Sequence, residues 1–122
     1  MYSYGAKSLQ RLSECHEDLQ KIMHRLIETS GDDYTILCGR RTEYDQNKAY
    51  NSGTSQLQYP HSKHNKTPSL AVDVAPYPLK WGDIEAFELM CDRIEAIAEE
   101  LGIKVRMGRD FSFKDYPHVE LM

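Results

Sequence analysis

The chain lacks a long hydrophobic run. Nowhere in its 122 residues does a stretch approach the roughly 20 apolar residues that a membrane-spanning helix needs. The opening Met1-Tyr2-Ser3-Tyr4-Gly5 also lacks the basic segment and apolar core of a secretory signal, so synthesis in a cytoplasm, without a signal peptide, is the expectation. Cysteine is scarce. Cys15, Cys38 and Cys91 are odd in number and irregular in spacing, which argues against a disulfide framework. Each lies in an apolar-periodic stretch and reads as a small buried thiol, made in a reducing compartment. Positive charge is not in surplus: 15 Lys and Arg face 19 Asp and Glu, a net charge of −4. No cationic field therefore draws the chain to nucleic acid or to an anionic membrane. Repeats, linkers and low-complexity segments are absent. What remains is 40% apolar and 28% charged, an ordinary globular composition. Its length suits one domain with a modest core.

Residues 6–29 carry Leu9, Leu12, Cys15, Leu19, Ile22, Met23, Leu26 and Ile27 at steps of three and four, the period of a helix. A break near His16 into two shorter helices is left open. His16 and His24 are eight apart, not the four that puts two ligands on one helix face, and both read as surface or boundary residues. Gly31-Asp32-Asp33 is a turn, and Tyr34-Thr35-Ile36-Leu37-Cys38 is rich in strand formers. Thr42 is placed to cap a short helix that ends at Asn51-Ser52-Gly53. Arg40 and Arg41, between that strand and that helix, are either two solvated charges or a guanidinium fork aimed at a substrate carboxylate or carbonyl.

Residues 51–70 form a long polar loop, a length that inside a compact domain is usually functional or disordered. Leu70-Ala71-Val72-Asp73-Val74-Ala75 follows as a strand. Alternation puts Ala71, Asp73 and Ala75 on one face, with Val72 and Val74 on the other. An aspartate within such an apolar strand must be paired, hydrogen-bonded or metal-bound. Asp83 is placed to cap a long helix whose stripe of Ile84, Phe87, Cys91, Ile94, Ile97, Ala98 and Leu101 should cover one face of the sheet, with Gly102 closing it. Ile103-Lys104-Val105-Arg106-Met107 alternates as a half-exposed strand, residues 108–115 connect, and His118-Val119-Glu120-Leu121 is a short last strand. This order reads as α+β: a small central antiparallel sheet flanked by helices.

The chemistry-bearing residues are His64 in the loop, Asp73 in the strand and His118 near the end. Together they are candidates for a zinc site of two imidazoles and one carboxylate, with a fourth position left to water. Asp115 and His118 are three apart, which strict alternation would place on opposite faces. Tyr116-Pro117 breaks the alternation, so both side chains can face one site. Asp115 is then either a general base for the attacking water or a turn aspartate bonded to its own backbone.

Taken together, Ser62-Lys63-His64, Ala71-Val72-Asp73-Val74 and Asp115-Tyr116-Pro117-His118-Val119-Glu120-Leu121 resemble the D-alanyl-D-alanine carboxypeptidase/dipeptidase family of zinc peptidases. The resemblance is nearest to its phage endolysin branch, the L-alanyl-D-glutamate endopeptidases. It spans nearly the whole chain and includes Gly39-Arg40-Arg41-Thr42 with Gln46, Gly53-Thr54-Ser55 and Trp81. It implies a fold of the Hedgehog and DD-peptidase type. It also implies one Zn2+ per chain held by His64, Asp73 and His118, with Asp115 as catalytic base. Arg41 would polarise or clamp the substrate, and Ser62 would lie at the substrate's edge. A monomer acting on peptidoglycan stem peptides is implied, released to the wall from the host cytoplasm. D,D-carboxypeptidase or dipeptidase activity stands as the alternative enzyme, and a non-catalytic zinc-containing wall-binding module as the alternative class. Two departures stand out. The His64–Asp73 interval is two residues longer than is usual in the family, which a loop absorbs at little entropic cost. Met107-Gly108-Arg109-Asp110 also replaces the common Trp-Gly-Gly-Asp, with Arg109 expected to add charge and bulk near the site.

Overall fold

A computed structural model describes residues 1–122. Helices α1 (Ala6–Ser13) and α2 (Glu17–Thr29) precede strand β1 (Tyr34–Cys38) and helix α3 (Glu43–Asn51). Strand β2 (Ala71–Pro76), helix α4 (Ile84–Leu101) and strands β3 (Val105–Met107) and β4 (His118–Leu121) complete the chain. Short 3-10 turns lie at Lys63–Asn65 and Gly108–Asp110. The four strands make one antiparallel sheet in the order β1-β2-β4-β3, so the fold is α+β as expected.

The first amphipathic stretch is two helices, and the reason is tertiary. The segment at Ser69 docks into the break: Ser69 donates its N–H to the Glu14 carbonyl at 2.9 Å, and His16 donates to the Ser69 carbonyl at 2.8 Å. These bonds take backbone groups that a continuous helix would use internally. His16 then caps α2, its Nδ1 accepting from the Asp18 N–H at 3.0 Å. Thr42 caps α3 and Asp83 caps α4 as their positions predict, and Gly102 ends α4 at φ +69°.

One cluster of 22 buried side chains runs from Tyr4 to Leu121. Leu19, Ile22, Met23 and Leu26 of α2 meet Phe87, Met90, Cys91 and Ile94 of α4, with Ile36, Val72, Val74 and Val119 of the sheet beneath. The helical stripes are legible in the sequence, but their ends are not. Leu9 is exposed because α1 turns its Ser8 and Leu12 side inward, and Ile84 is exposed in the first turn of α4. In β2 the faces alternate as expected, yet Ala71 and Ala75 are as fully buried as Val72 and Val74, because both sides of the central strand are covered. Cys15 and Cys91 are buried, and burial pushes both thiols up to about 12. Cys38 departs from expectation. It is only partly buried, at the end of β1 where pairing with β2 becomes irregular.

Helix α1 covers the outer edge of β1. The Ile36 N–H donates to Ser8 Oγ at 3.0 Å, and Arg11 donates to the Ile36 carbonyl at 3.0 Å, so this strand offers no free rim. No helix is long and apolar enough to cross a membrane. At Gly39, just past β1, a Cβ would meet the Arg11 carbonyl oxygen at 2.1 Å. Only glycine lets α1 lie this close. Gly39→Ala is expected to cost about 1–3 kcal/mol of stability through overpacking, read as a lower urea midpoint at unchanged m-value.

Candidate metal centre

His64 is delivered by the 3-10 turn, and that turn is built from side chains. The Ser62 hydroxyl accepts from the His64 N–H at 3.2 Å, and Asn65 Oδ1 accepts from the Ser62 N–H at 3.0 Å, a reciprocal cap. Below it sits Gln46, fully buried on α3. Its Oε1 accepts from Arg41 (3.0 Å) and Asn65 (3.3 Å), while its amide nitrogen donates to Ser55 Oγ (2.9 Å) and the Leu57 carbonyl (2.6 Å). Both donors and both lone pairs of one amide are used, tying the long polar loop to α3 and to the turn after β1. The loop is therefore ordered where it matters.

Asp73 comes from β2 and His118 from the first position of β4, and the two are directly paired across the sheet. The three donors converge. Asp73 Oδ1 lies 3.2 Å from His64 Nε2 and 3.4 Å from His118 Nδ1, and all three ligand atoms lie within 4.8 Å of one another. Zinc–nitrogen and zinc–oxygen bonds of about 2.0–2.2 Å put tetrahedral donor atoms roughly 3.3–3.6 Å apart, so the set fits such an ion. The far nitrogen of each ring is already engaged. His64 Nδ1 faces the Gly39 carbonyl at 2.7 Å, which can only accept; His118 Nε2 faces Glu120 Oε1 at 2.7 Å. Each partner engages the outer nitrogen and turns the inner one toward Asp73, where it can ligate an ion once its proton has left. Glu120 in turn has Lys63 Nζ 3.9 Å from its other oxygen.

The electrostatics match the geometry. Burial disfavours a charged His64, but the Asp73 carboxylate beside it prevails and holds its pKa up at about 10. Burial likewise opposes charge on His118, and hydrogen bonds to Asp73 and Glu120 raise it on balance. For Asp73 burial pushes upward, yet the two imidazoles hold it well below the usual carboxylate range. The cluster thus favours positive charge, which a divalent cation would supply in exchange for protons.

Asp115 arrives through a tight turn. Its carbonyl accepts from the His118 N–H at 3.1 Å, and its own N–H donates to the Gly108 carbonyl at 2.9 Å. Gly108 lies against both: a Cβ there would meet the Asp115 carbonyl oxygen at 2.1 Å and the His118 Cβ at 2.8 Å. The half-buried carboxyl is raised above its ordinary value, chiefly by burial and then by Asp73, while His118, His64 and Arg41 pull it down. Asp115 therefore feels the charges of the cluster. Arg41 is there too. Its Nη1 bonds Gln46, its Nη2 lies 3.6 Å from Asp73 Oδ2, and its side chain is mostly buried. Its partner Arg40 turns away to Thr67 at 2.9 Å.

Ser62 is nearly buried and its hydroxyl accepts from the His64 N–H, so it shapes the turn that carries that histidine. One expectation is corrected. Arg109 does not crowd the site. It lies along α4, with Nη1 2.9 Å from Asp92 and 3.2 Å from Glu88, and Nη2 2.5 Å from Glu95. Those acids at helical spacing draw the guanidinium away.

The profile of the phage L-alanyl-D-glutamate peptidases matches residues 1–122. The chain belongs to that family. It is similar to the L-alanyl-D-glutamate peptidase of Escherichia phage T5, with 35% identity over 98% of this chain and 89% of that protein. The Serratia marcescens L-Ala D-Glu endopeptidase ChiX shares the fold with a TM-score of 0.83, at 26% identity over 98% of this chain and 90% of the other.

Among these residues Glu120, Asn65 and Gly108 carry geometry that reading the sequence for function missed, as it missed what Gln46 does. Glu120 had a signal: two residues past His118 in a strand, it must share that histidine's face. Asn65 and Gln46 had none, since only the folded loop brings them together. Glu120→Ala is expected to weaken divalent-ion binding about 10–100-fold in a chelator-dye competition, whereas Arg109→Gly leaves it unchanged.

Proposed function

We propose that this chain is a zinc peptidase that hydrolyses the L-alanyl–D-glutamate bond of peptidoglycan stem peptides, in the manner of a phage lysis enzyme acting on the wall after release. The observation that carries the reading is the convergence of His64 Nε2, Asp73 Oδ1 and His118 Nδ1 on one point, with Asp115 in the same field. Nitrogen and oxygen donors in a three-residue set suit Zn2+ and leave a position for water. When bound, the ion supplies Lewis acidity, lowering the pKa of water and polarising the scissile carbonyl.

The chain's own residues divide the rest of the work. Asp115 accepts the proton of the attacking water as its oxygen bonds to the alanyl carbon, then passes a proton to the D-glutamyl nitrogen as the C–N bond breaks. Arg41, held from behind by Gln46, places a fixed positive charge where negative charge develops on the carbonyl oxygen. Ser62 acts through the backbone of His64, and Glu120 through its ring. Asp115 also favours an enzyme over a wall-binding module, since a structural zinc site is usually closed by a fourth protein ligand and needs no base.

The test is digestion of wall fragments by zinc-loaded protein, with products weighed by mass spectrometry. Cleavage after L-alanine is expected. In Asp115→Ala, turnover should fall about 10²–10⁴-fold while zinc remains bound at one per chain. Release of a terminal D-alanine would instead make the chain a carboxypeptidase, and full turnover by the variant would overturn the assigned base.

A further inference from the structure

Arg106 stands apart from the other arginines. Each of those is bonded within the chain: Arg11 to a carbonyl of β1, Arg25 to Glu100, Arg40 to Thr67, Arg41 to Gln46, Arg93 to Asp32, and Arg109 to the acids of α4. Arg106 is exposed and makes no such bond, yet it is not loose. Its guanidinium carbon lies 4.8 Å from the centre of the Phe111 ring, and Phe111 packs against the His118 ring at 5.5 Å between centroids. A cation on an aromatic face keeps its donor edge directed outward.

Its position follows from register. Arg106 pairs with Glu120 across β3 and β4, and Glu120 shares the face of His118 by alternation. Arg106 is therefore a diagonal neighbour of His118, about 7–8 Å away on the face that carries the metal set. Arg106 helps hold the Glu120 carboxylate below its ordinary range, after His118 and Lys63, but makes no hydrogen bond to it. One of that carboxylate's oxygens is taken by His118 and the other faces Lys63. The face beside the candidate metal centre thus holds an oriented, unpaired guanidinium fork.

We infer that Arg106, seated on Phe111, is the receptor for a free carboxylate of the stem peptide on the leaving-group side of the scissile bond, a role that rests on the proposed peptidase reading. The chemistry of that bond supplies the ligand. A D-glutamyl residue acylated at nitrogen keeps one carboxyl free when the other continues the chain. If the α-carboxyl is the free one, it lies two bonds from the scissile nitrogen. The fork matches a carboxylate in two hydrogen bonds and has no comparable partner in a carboxamide. Arg106 is then a specificity-determining residue that distinguishes D-glutamate from its amide. A carboxylate on the third residue of the stem, as in diaminopimelate, offers the same chemistry from one residue further on.

Four soluble stem peptides separate these cases: D-glutamate or D-isoglutamine at the second position, each with lysine or diaminopimelate at the third. They are cut by zinc-loaded wild type, Arg106→Gln, Arg106→Lys and Phe111→Leu. Wild type should prefer the free acid by about tenfold or more in kcat/KM, carried by KM. Arg106→Gln should lose that preference by slowing on the acid alone, with zinc content and urea midpoint unchanged. Arg106→Lys should restore only part of it, and Phe111→Leu should weaken it. A preference that follows the third residue would assign the carboxylate to diaminopimelate. Equal loss on acid and amide peptides in Arg106→Gln would overturn the receptor. Titration of amino-terminal D-glutamyl peptides, acid and amide, reads the same site without turnover. Preferential binding of the acid by a wild type that cuts nothing would refute the peptidase reading and leave Arg106 standing. Cleavage without any acid preference would refute Arg106 alone.

Discussion

The pairing of Asp73 with His118 across β2 and β4 is the contact on which the rest of the structure depends. Side chains in a strand alternate, so a register slip of one residue would turn Asp73 into the apolar layer beneath α4 and His118 with it. The register is held from both sides. Val72, Val74 and Val119 are locked into the core on one face, and the Val74 N–H is bound by the Pro117 carbonyl at 3.0 Å just before β4 begins. A buried carboxylate among apolar neighbours is costly by itself. Here it is offset by two imidazoles and the guanidinium of Arg41, so the same group that would destabilise the strand gives the site its affinity for positive charge.

Around that pair the chain has arranged supports that touch the chemistry only through other residues. Each imidazole is gripped by its outer nitrogen, one by a carbonyl at Gly39 and one by the carboxylate of Glu120. The two glycines that permit the closest approaches, Gly39 and Gly108, both flank the site, and at each a methyl group would strike a backbone carbonyl oxygen. Gln46 joins Arg41, the turn carrying His64 and the polar loop through one saturated amide. Such a shared, fully bonded network is the physical content of preorganisation, and it explains how a polar loop of this length can hold His64 in place.

Two further segments near the site are held by local contacts. The stretch between His64 and Asp73 is tied down where Ser69 docks into the break between α1 and α2 and where Arg40 bonds Thr67. The arginine at position 109 has a row of acids on α4 to receive it.

The sequence by itself determined the elements and the cast. Helical stripes, cap residues, the strand-breaking aspartate and the proline beside His118 follow from local periodicity and dihedral limits, which act between near neighbours in the chain. The α+β class was legible for that reason, whereas His64, Asp73, His118 and Asp115 were only candidates by residue type until the resemblance of their motifs to a peptidase family grouped them. Tertiary structure alone decided which nitrogen of each ring faces inward and that Ser62 serves the turn. It alone also sent Arg109 to α4, left Arg106 free and gathered four partners on Gln46. Those outcomes depend on contacts between residues tens of positions apart, whose energies exist only once the sheet register has brought them within hydrogen-bond distance.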